Sequence, residues 1–175
     1  MRLPKAYRWL EKEESPRHLL KAIELFGTTE KVGHGDNPVI MGWAKETLLT
    51  DYGADSIPWC GLFMAVIMKR ANRPMVVNPL WALNWKQFGM DVPVPMLGDV
   101  LVFIRSGGGH VGLYVGEDKT TYHVLGGNQG DKVSIVRIMK NRLVGTRRPR
   151  YQNQPTNVRV IELNSTGGVI SSNEA

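Results

Sequence analysis

The sequence predicts an α+β fold. The apolar residues between positions 17 and 70 recur at helical spacing, whereas from about residue 92 they fall into short runs separated by turn residues. Those runs follow one another so closely that only antiparallel hairpins can join them. The chain has 175 residues, enough for one domain with a real core, and is 42% hydrophobic and 22% charged, as ordinary globular proteins are. The expected division is an N-terminal arm at 1–16, a domain at 17–150 and an extended C-terminal tail at 151–175.

Residues 5–14 are charged, with Ala6, Tyr7, Trp9 and Leu10 as anchors of a short helical arm. Ser15-Pro16 reads as a cap followed by a first-turn proline, and Leu19, Leu20, Ile23 and Leu25-Phe26 give the next helix its apolar stripe up to Gly27. Residues 27–38 are turn chemistry, and His34 reads as a solvated loop residue because no ligand-type side chain stands beside it at metal spacing. Asp36 or Asn37 caps a second helix with Pro38 at its first position. A polar loop at 50–56 leads to Ile57-Pro58-Trp59-Cys60, after which apolar residues run almost unbroken to Lys69. Leu62, Phe63, Val66 and Ile67, widened by Met64 and Met68, describe a helix buried on most of its circumference. Residues 79–89 form a short helix ended by glycine, whose Trp81 and Trp85 either line a groove or pack on the core. Strands follow at 100–104, 110–116, 121–127 and 132–138, with a fifth, edge strand at 143–147. The tail from Gln152 is polar apart from Val158, Val160, Ile161 and Leu163, and is expected to be loosely held.

The composition also bounds function. The apolar runs are too short to span a membrane, and the start of the chain lacks the apolar stretch of a secretory signal. An enzyme acting outside the cytoplasm would then need release by other means. The formal charge of +6 favours polyanions such as envelope polymers, but no basic helix interleaved with aromatics and no zinc-finger spacing points to nucleic acid. Nothing signals an oligomer, and a monomer is expected.

Cys60 is the only cysteine, so no internal disulfide is possible. As a lone residue it would be read as a small core hydrophobe. Its place in the first turn of a buried helix, where unpaired N–H groups and the macrodipole favour a thiolate, allows a second reading. A nucleophilic cysteine needs a base, and His110 opens a strand directly after three glycines. Cys60 with His110 favours catalysis over burial. The base needs an orienting partner. His123, on the neighbouring strand, would serve if the register pairs it with His110, since cross-strand partners sit about 4.5–5.5 Å apart. Asn128, after Gly126-Gly127, could instead accept the same proton. The oxyanion hole is expected from N–H groups at the start of the Cys60 helix, that of Cys60 included.

Four segments carry a family resemblance: Pro58-Trp59-Cys60-Gly61-Leu62-Phe63, Leu97-Gly98-Asp99-Val100-Leu101-Val102-Phe103, Gly109-His110-Val111-Gly112-Leu113-Tyr114-Val115-Gly116, and Val124-Leu125-Gly126-Gly127-Asn128-Gln129. In combination they resemble the CHAP and NlpC-like cysteine peptidases and amidases, above all a phage and prophage branch with the Leu-Gly-Gly-Asn-Gln run after its histidine. The likeness covers roughly residues 17–150. It implies a papain-like fold, with the cysteine helix packed on an antiparallel meander, and hydrolysis of an amide bond in bacterial peptidoglycan, either within the stem peptide or between muramic acid and L-alanine. It implies Cys60 as nucleophile, His110 as base and either His123 or Asn128 as orienting residue. Substrate contact is expected at Trp59, Gly61, Trp81 and Gln129, and neither a cofactor nor a metal is expected. Trp59 stands where NlpC-like proteins have Asp and CHAP proteins Gln. The expected setting is a phage endolysin or virion-associated lysin that stays in the host cytoplasm until a holin frees it, or travels in the particle.

Overall fold

The computed structural model describes residues 2–14, 16–164 and 170–171. Ser15, read above as a helix cap, lies outside them, as do 165–169 and 172–175 of the tail. Three α-helices precede the sheet: α1 (Arg17–Glu24), α2 (Pro38–Thr47) and α3 (Cys60–Arg70). Asn37 caps α2 through its side chain, which accepts from the Val39 N–H at 2.8 Å, and Pro38 takes the first helical position, where its missing N–H costs nothing. A 3₁₀ helix at Lys5–Lys12 opens the described chain, and another at Ala82–Gln87 joins helices to sheet.

The strands are β1 (Met90–Asp91), β2 (Val100–Arg105), β3 (Gly108–Glu117), β4 (Thr121–Gly126), β5 (Ser134–Met139) and β6 (Leu143–Arg148). They form one six-stranded sheet in the order β1-β6-β2-β3-β4-β5, and every pairing is antiparallel. The expected α+β class is therefore observed. β2 to β5 are the meander read from the sequence. The last strand is not at an edge, however: β6 crosses back beside β2 and is itself covered by β1. Two residues carry no alternation, so β1 leaves no readable signal.

All nine residues from Cys60 to Met68 are buried, and α3 packs against α1, α2 and β3 at the centre of the hydrophobic core. That explains a helix without a polar face. Leu3, Tyr7 and Leu10 of the N-terminal segment join the same core. The tail is held more firmly than expected. Val158 and Ile161 are buried, the Leu97 N–H donates to the Arg159 carbonyl at 2.9 Å, and the Glu117 N–H donates to that of Ile161 at 2.8 Å. An exposed backbone edge at 114–117 gives this segment something to pair with, which a reading of its polar composition does not reveal. Among the described residues, no helix is long and apolar enough to cross a membrane.

Candidate active site

Cys60 is the first residue of α3 and is only 4% exposed. Its exposed side faces a groove of about 120 Å³ that is also lined by Trp81, Arg105 and the glycines of the β2–β3 hairpin. The N–H groups of Val111, next to His110 on β3, of Gly61 and of Cys60 itself lie where they favour a charged Cys60 sulfur. Burial pushes the Cys60 thiol above its ordinary pKa. These three N–H groups and the Arg105 guanidinium pull it back without cancelling the shift. A charged sulfur here would be stabilised by donors already in place, which is also the requirement of an oxyanion hole.

His110 is buried on β3, and its Nε2 lies 3.0 Å from Gln129 Oε1. The Gln129 amide is clamped: its Nε2 donates to the carbonyls of Ser134 at 2.6 Å and Val124 at 3.2 Å. With the amide NH₂ committed to two carbonyls, the amide oxygen must face the imidazole. His110 therefore carries its proton on Nε2, and Nδ1 holds the lone pair. The proton on Nε2 is thus fixed, and Nδ1, opposite to the nitrogen Gln129 holds, is the one that can exchange a proton.

Two glycines make this possible. A Cβ at Gly126 would come within 2.8 Å of Gln129 Oε1 and 3.3 Å of His110 Nε2. A Cβ at Gly127 would strike the Phe63 Cβ at 2.5 Å and the Trp59 ring at 2.7 Å. Without side chains, the turn after β4 can lie against the start of α3 while Gln129 folds back onto His110. The run Gly126-Gly127-Asn128-Gln129 thus reaches both His110, through Gln129, and the start of α3, through Gly127.

The other expected site residues divide. His123 is not opposite His110: it pairs with Gly116 on β3 and Arg137 on β5. The β3–β4 turn would need its centre near 116–117 to bring the two histidines together, but it turns at Asp118–Thr120, where Glu117 faces Tyr122 and the Asp118 N–H donates to the Thr121 carbonyl. The His123 Nδ1 sits 2.7 Å from the Tyr7 hydroxyl and its Nε2 3.1 Å from Asp118 Oδ2, so both ring nitrogens are engaged away from His110. Asn128 is buried with φ 53°, the left-handed conformation that lets the turn pass, and no hydrogen bond joins it to His110 among the described residues. The orienting contact belongs to Gln129, which was expected to touch substrate. Trp59 was expected to do so too, but it is fully buried against Trp43, with ring centroids 5.8 Å apart, and its indole N–H donates to Glu30 Oε1 at 2.6 Å. Gly61 is buried where a Cβ would lie 2.3 Å from the Pro79 carbonyl, so it lets the 79–80 loop close over the helix start. Trp81 is 64% exposed on the groove beside Cys60, while Trp85 is in the core.

Arg105 is a groove residue that sequence reasoning missed, because a lone arginine ending a strand looks like a solvated terminus. Its Nε–H donates to the Gly109 carbonyl at 3.2 Å, which holds the guanidinium over the hairpin beside Cys60. No group of three or more His, Cys, Asp or Glu side chains able to hold a metal occurs among the described residues. A scan of the chain against protein-family models finds no match, and neither does a search of curated protein sequences.

Proposed function

We propose that the protein is a cysteine hydrolase that cleaves an amide bond in bacterial peptidoglycan, acting as a stem-peptide endopeptidase of a phage endolysin or virion-associated lysin. The observation that carries the catalytic part is the clamped Gln129–His110 pair on the strand whose Val111 N–H favours a charged Cys60 sulfur. The peptidoglycan part rests on the motif resemblance, and a cysteine helix against an antiparallel meander is compatible with the papain-like architecture it implies. A basic protein of formal charge +6 also suits an anionic envelope.

In this reading His110 Nδ1 takes the Cys60 proton, and the thiolate attacks the scissile carbonyl carbon. The negative charge that develops on the carbonyl oxygen is met by N–H groups at the start of α3. The C–N bond then breaks as His110 returns the proton to the leaving amine, leaving a thioester on Cys60. Water, deprotonated by His110, attacks the thioester. The carboxylate product leaves and the thiol is restored. Gln129 steadies the imidazolium that appears twice in the cycle.

The test is incubation of the protein and its Cys60→Ala variant with sacculi, followed by mass spectrometry of the soluble fragments. New amino termini inside the stem peptide are expected from the wild type alone. Intact stem peptides starting at L-alanine would instead make it an N-acetylmuramoyl-L-alanine amidase on the same site. Activity surviving in Cys60→Ala would overturn the reading.

One observation favours a non-catalytic phage structural or binding module: burial raises the Cys60 thiol pKa rather than lowering it. The two readings separate on alkylation with iodoacetamide at neutral pH. A catalytic pair makes Cys60 react faster in the wild type than in His110→Ala, whereas a structural thiol reacts slowly in both.

A further inference from the structure

We propose that the cleft at the far end of α3 from Cys60 is a binding site for a phosphate group. This cleft, of about 460 Å³, is lined by Arg17, Arg73, Arg150 and Tyr151, with Pro16 and Gln152 among its other walls. Among the described residues no carboxylate lies within ion-pair distance of any of these three arginines. Elsewhere the protein pairs its arginines readily: Arg70 with Glu46, Arg137 with Asp118 and Arg148 with Asp99. Three guanidinium groups gathered around one concavity without a counter-charge repel one another, and an anion between them relieves that repulsion.

The cleft is also built. Arg73 stacks over the Tyr151 ring, 4.7 Å from its centroid, and donates through Nη1 to the Arg150 carbonyl at 2.6 Å. Its fork is therefore oriented before any ligand arrives. The Tyr151 hydroxyl is buried and makes no hydrogen bond among the described residues. Burial keeps it protonated, so it is a donor without an acceptor. The N-terminus of α1 opens on the same cleft, with Pro16 offering no side-chain cap. The positive end of the helix dipole adds to the field.

Donors that approach from three arginines and a helix end suit a tetrahedral anion better than a planar one. A carboxylate has two oxygens in one plane, whereas a phosphate spreads its acceptors over a tetrahedron and matches guanidinium forks in pairs. The ligand would not interfere with chemistry at Cys60. α3 is 11 residues long, so roughly 16 Å of helix separates the cysteine from the end that Arg73 follows. The phosphate has two possible sources: free phosphate, or a phosphodiester in an envelope polymer. Only the second rests on the wall-hydrolase reading.

The experiment is calorimetric titration of the full chain at fixed ionic strength with inorganic phosphate, with poly(glycerol phosphate) and with polyglutamate. Saturable binding of the two phosphate probes is expected, and Arg17→Glu and Arg150→Glu should each weaken it by about tenfold or more without moving the melting temperature. Both side chains are exposed, so neither change threatens the fold. Arg73→Ala is the third variant, read against its own melting temperature because this residue also packs on Tyr151. Tighter binding of the polymer than of phosphate identifies an esterified group, and equal affinity identifies free phosphate. Both outcomes support the site. Absence of binding, unchanged affinity in both glutamate variants, or equal binding of polyglutamate would overturn it. Cys60→Ala should bind phosphate as the wild type does, so the fate of the hydrolase reading and that of this site are read separately.

Discussion

His110 and His123 lie on neighbouring strands, both buried, and a glutamine or a carboxylate holds each by Nε2. Their surroundings make them different tools. Gln129 is a neutral amide, so it fixes the tautomer of His110 without adding charge. His123 is bound by Asp118 on one nitrogen and Tyr7 on the other, and Asp118 also takes Arg137 at 2.7 Å and the Thr121 hydroxyl at 2.6 Å. Burial works to raise the Asp118 pKa, but hydrogen bonds from Thr121, the Thr120 and Thr121 N–H groups and His123 outweigh it and hold the carboxyl ionised far below its usual range. Burial in turn lowers His123, against the pull of Asp118. One histidine is oriented by a group that leaves it able to exchange a proton. The other is a rivet that fastens the N-terminal 3₁₀ helix to the β3–β4 hairpin. Burial and a hydrogen-bond partner on Nε2 are therefore shared by both histidines; in the proposed reaction, what the partner leaves for the second nitrogen decides.

The sharpest break in this comparison is to remove each imidazole. His110→Ala should lower kcat per folded molecule by roughly 10²–10⁴-fold, the usual worth of a general acid–base, beside the stability lost with any buried ring. His123→Ala should unfold earlier but retain kcat per folded molecule. Equal losses of kcat in the two variants would end the distinction. Asp118→Ala tests the rivet at its charged centre. It leaves Arg137 buried without its carboxylate, so a loss of about 3–5 kcal/mol is expected in chemical denaturation, again with little effect on turnover.

How far the two histidines could be told apart from sequence follows from what each signal requires. Helix spacing put Cys60 at a helix start, a local pattern, whereas the glycines before His110, read as a turn, already belong to the strand, which begins at Gly108. The choice between His123 and Asn128, and the contact that Gln129 makes instead, was not local. It depends on where the β3–β4 hairpin turns and on a bulge between Tyr114 and Gly116 that shifts the register, neither of which leaves a periodicity to read. Within the later turn, Asn128 adopts φ 53°, and it is the next residue, Gln129, that meets His110. Trp59 was expected to touch substrate, but its indole donates to Glu30, 29 positions away. Contacts of that range come from packing, which a linear pattern does not encode.

A third buried histidine supplies a pH test. His18 is fully buried on α1 and lies 2.7 Å through Nε2 from the Gly98 carbonyl, and burial lowers its pKa from 6.5 to about 4, with Gly98 opposing and Arg73 adding to the shift. Between those values the unfolded chain binds a proton that the folded one refuses. Stability should therefore be complete above pH 6.5 and fall as the pH drops towards 4, by about 3 kcal/mol in all. His18→Gln should flatten that part of the stability profile measured by denaturant titration. His123, lowered in the same direction, should leave a residual slope.

The finest test concerns Gln129. If it only holds His110 in place, Gln129→Ala removes one hydrogen bond to a group that becomes charged during turnover. That is worth about 1.5–3 kcal/mol, or roughly a 10- to 100-fold fall in kcat, with KM little changed. A substrate contact would show the opposite split, with KM raised and kcat kept. Gln129→Glu separates orientation from charge. It keeps an oxygen toward His110 Nε2 but brings a negative charge that favours the imidazolium, so the acid-side limb of the pH–kcat/KM profile, where the base must lose its proton, should move to higher pH. It also loses the NH₂ that now binds the Val124 and Ser134 carbonyls, so its melting temperature should fall where that of a purely surface residue would not. A profile that stays in place while activity falls would mean that the clamp on the glutamine, rather than its contact with the imidazole, is what turnover requires.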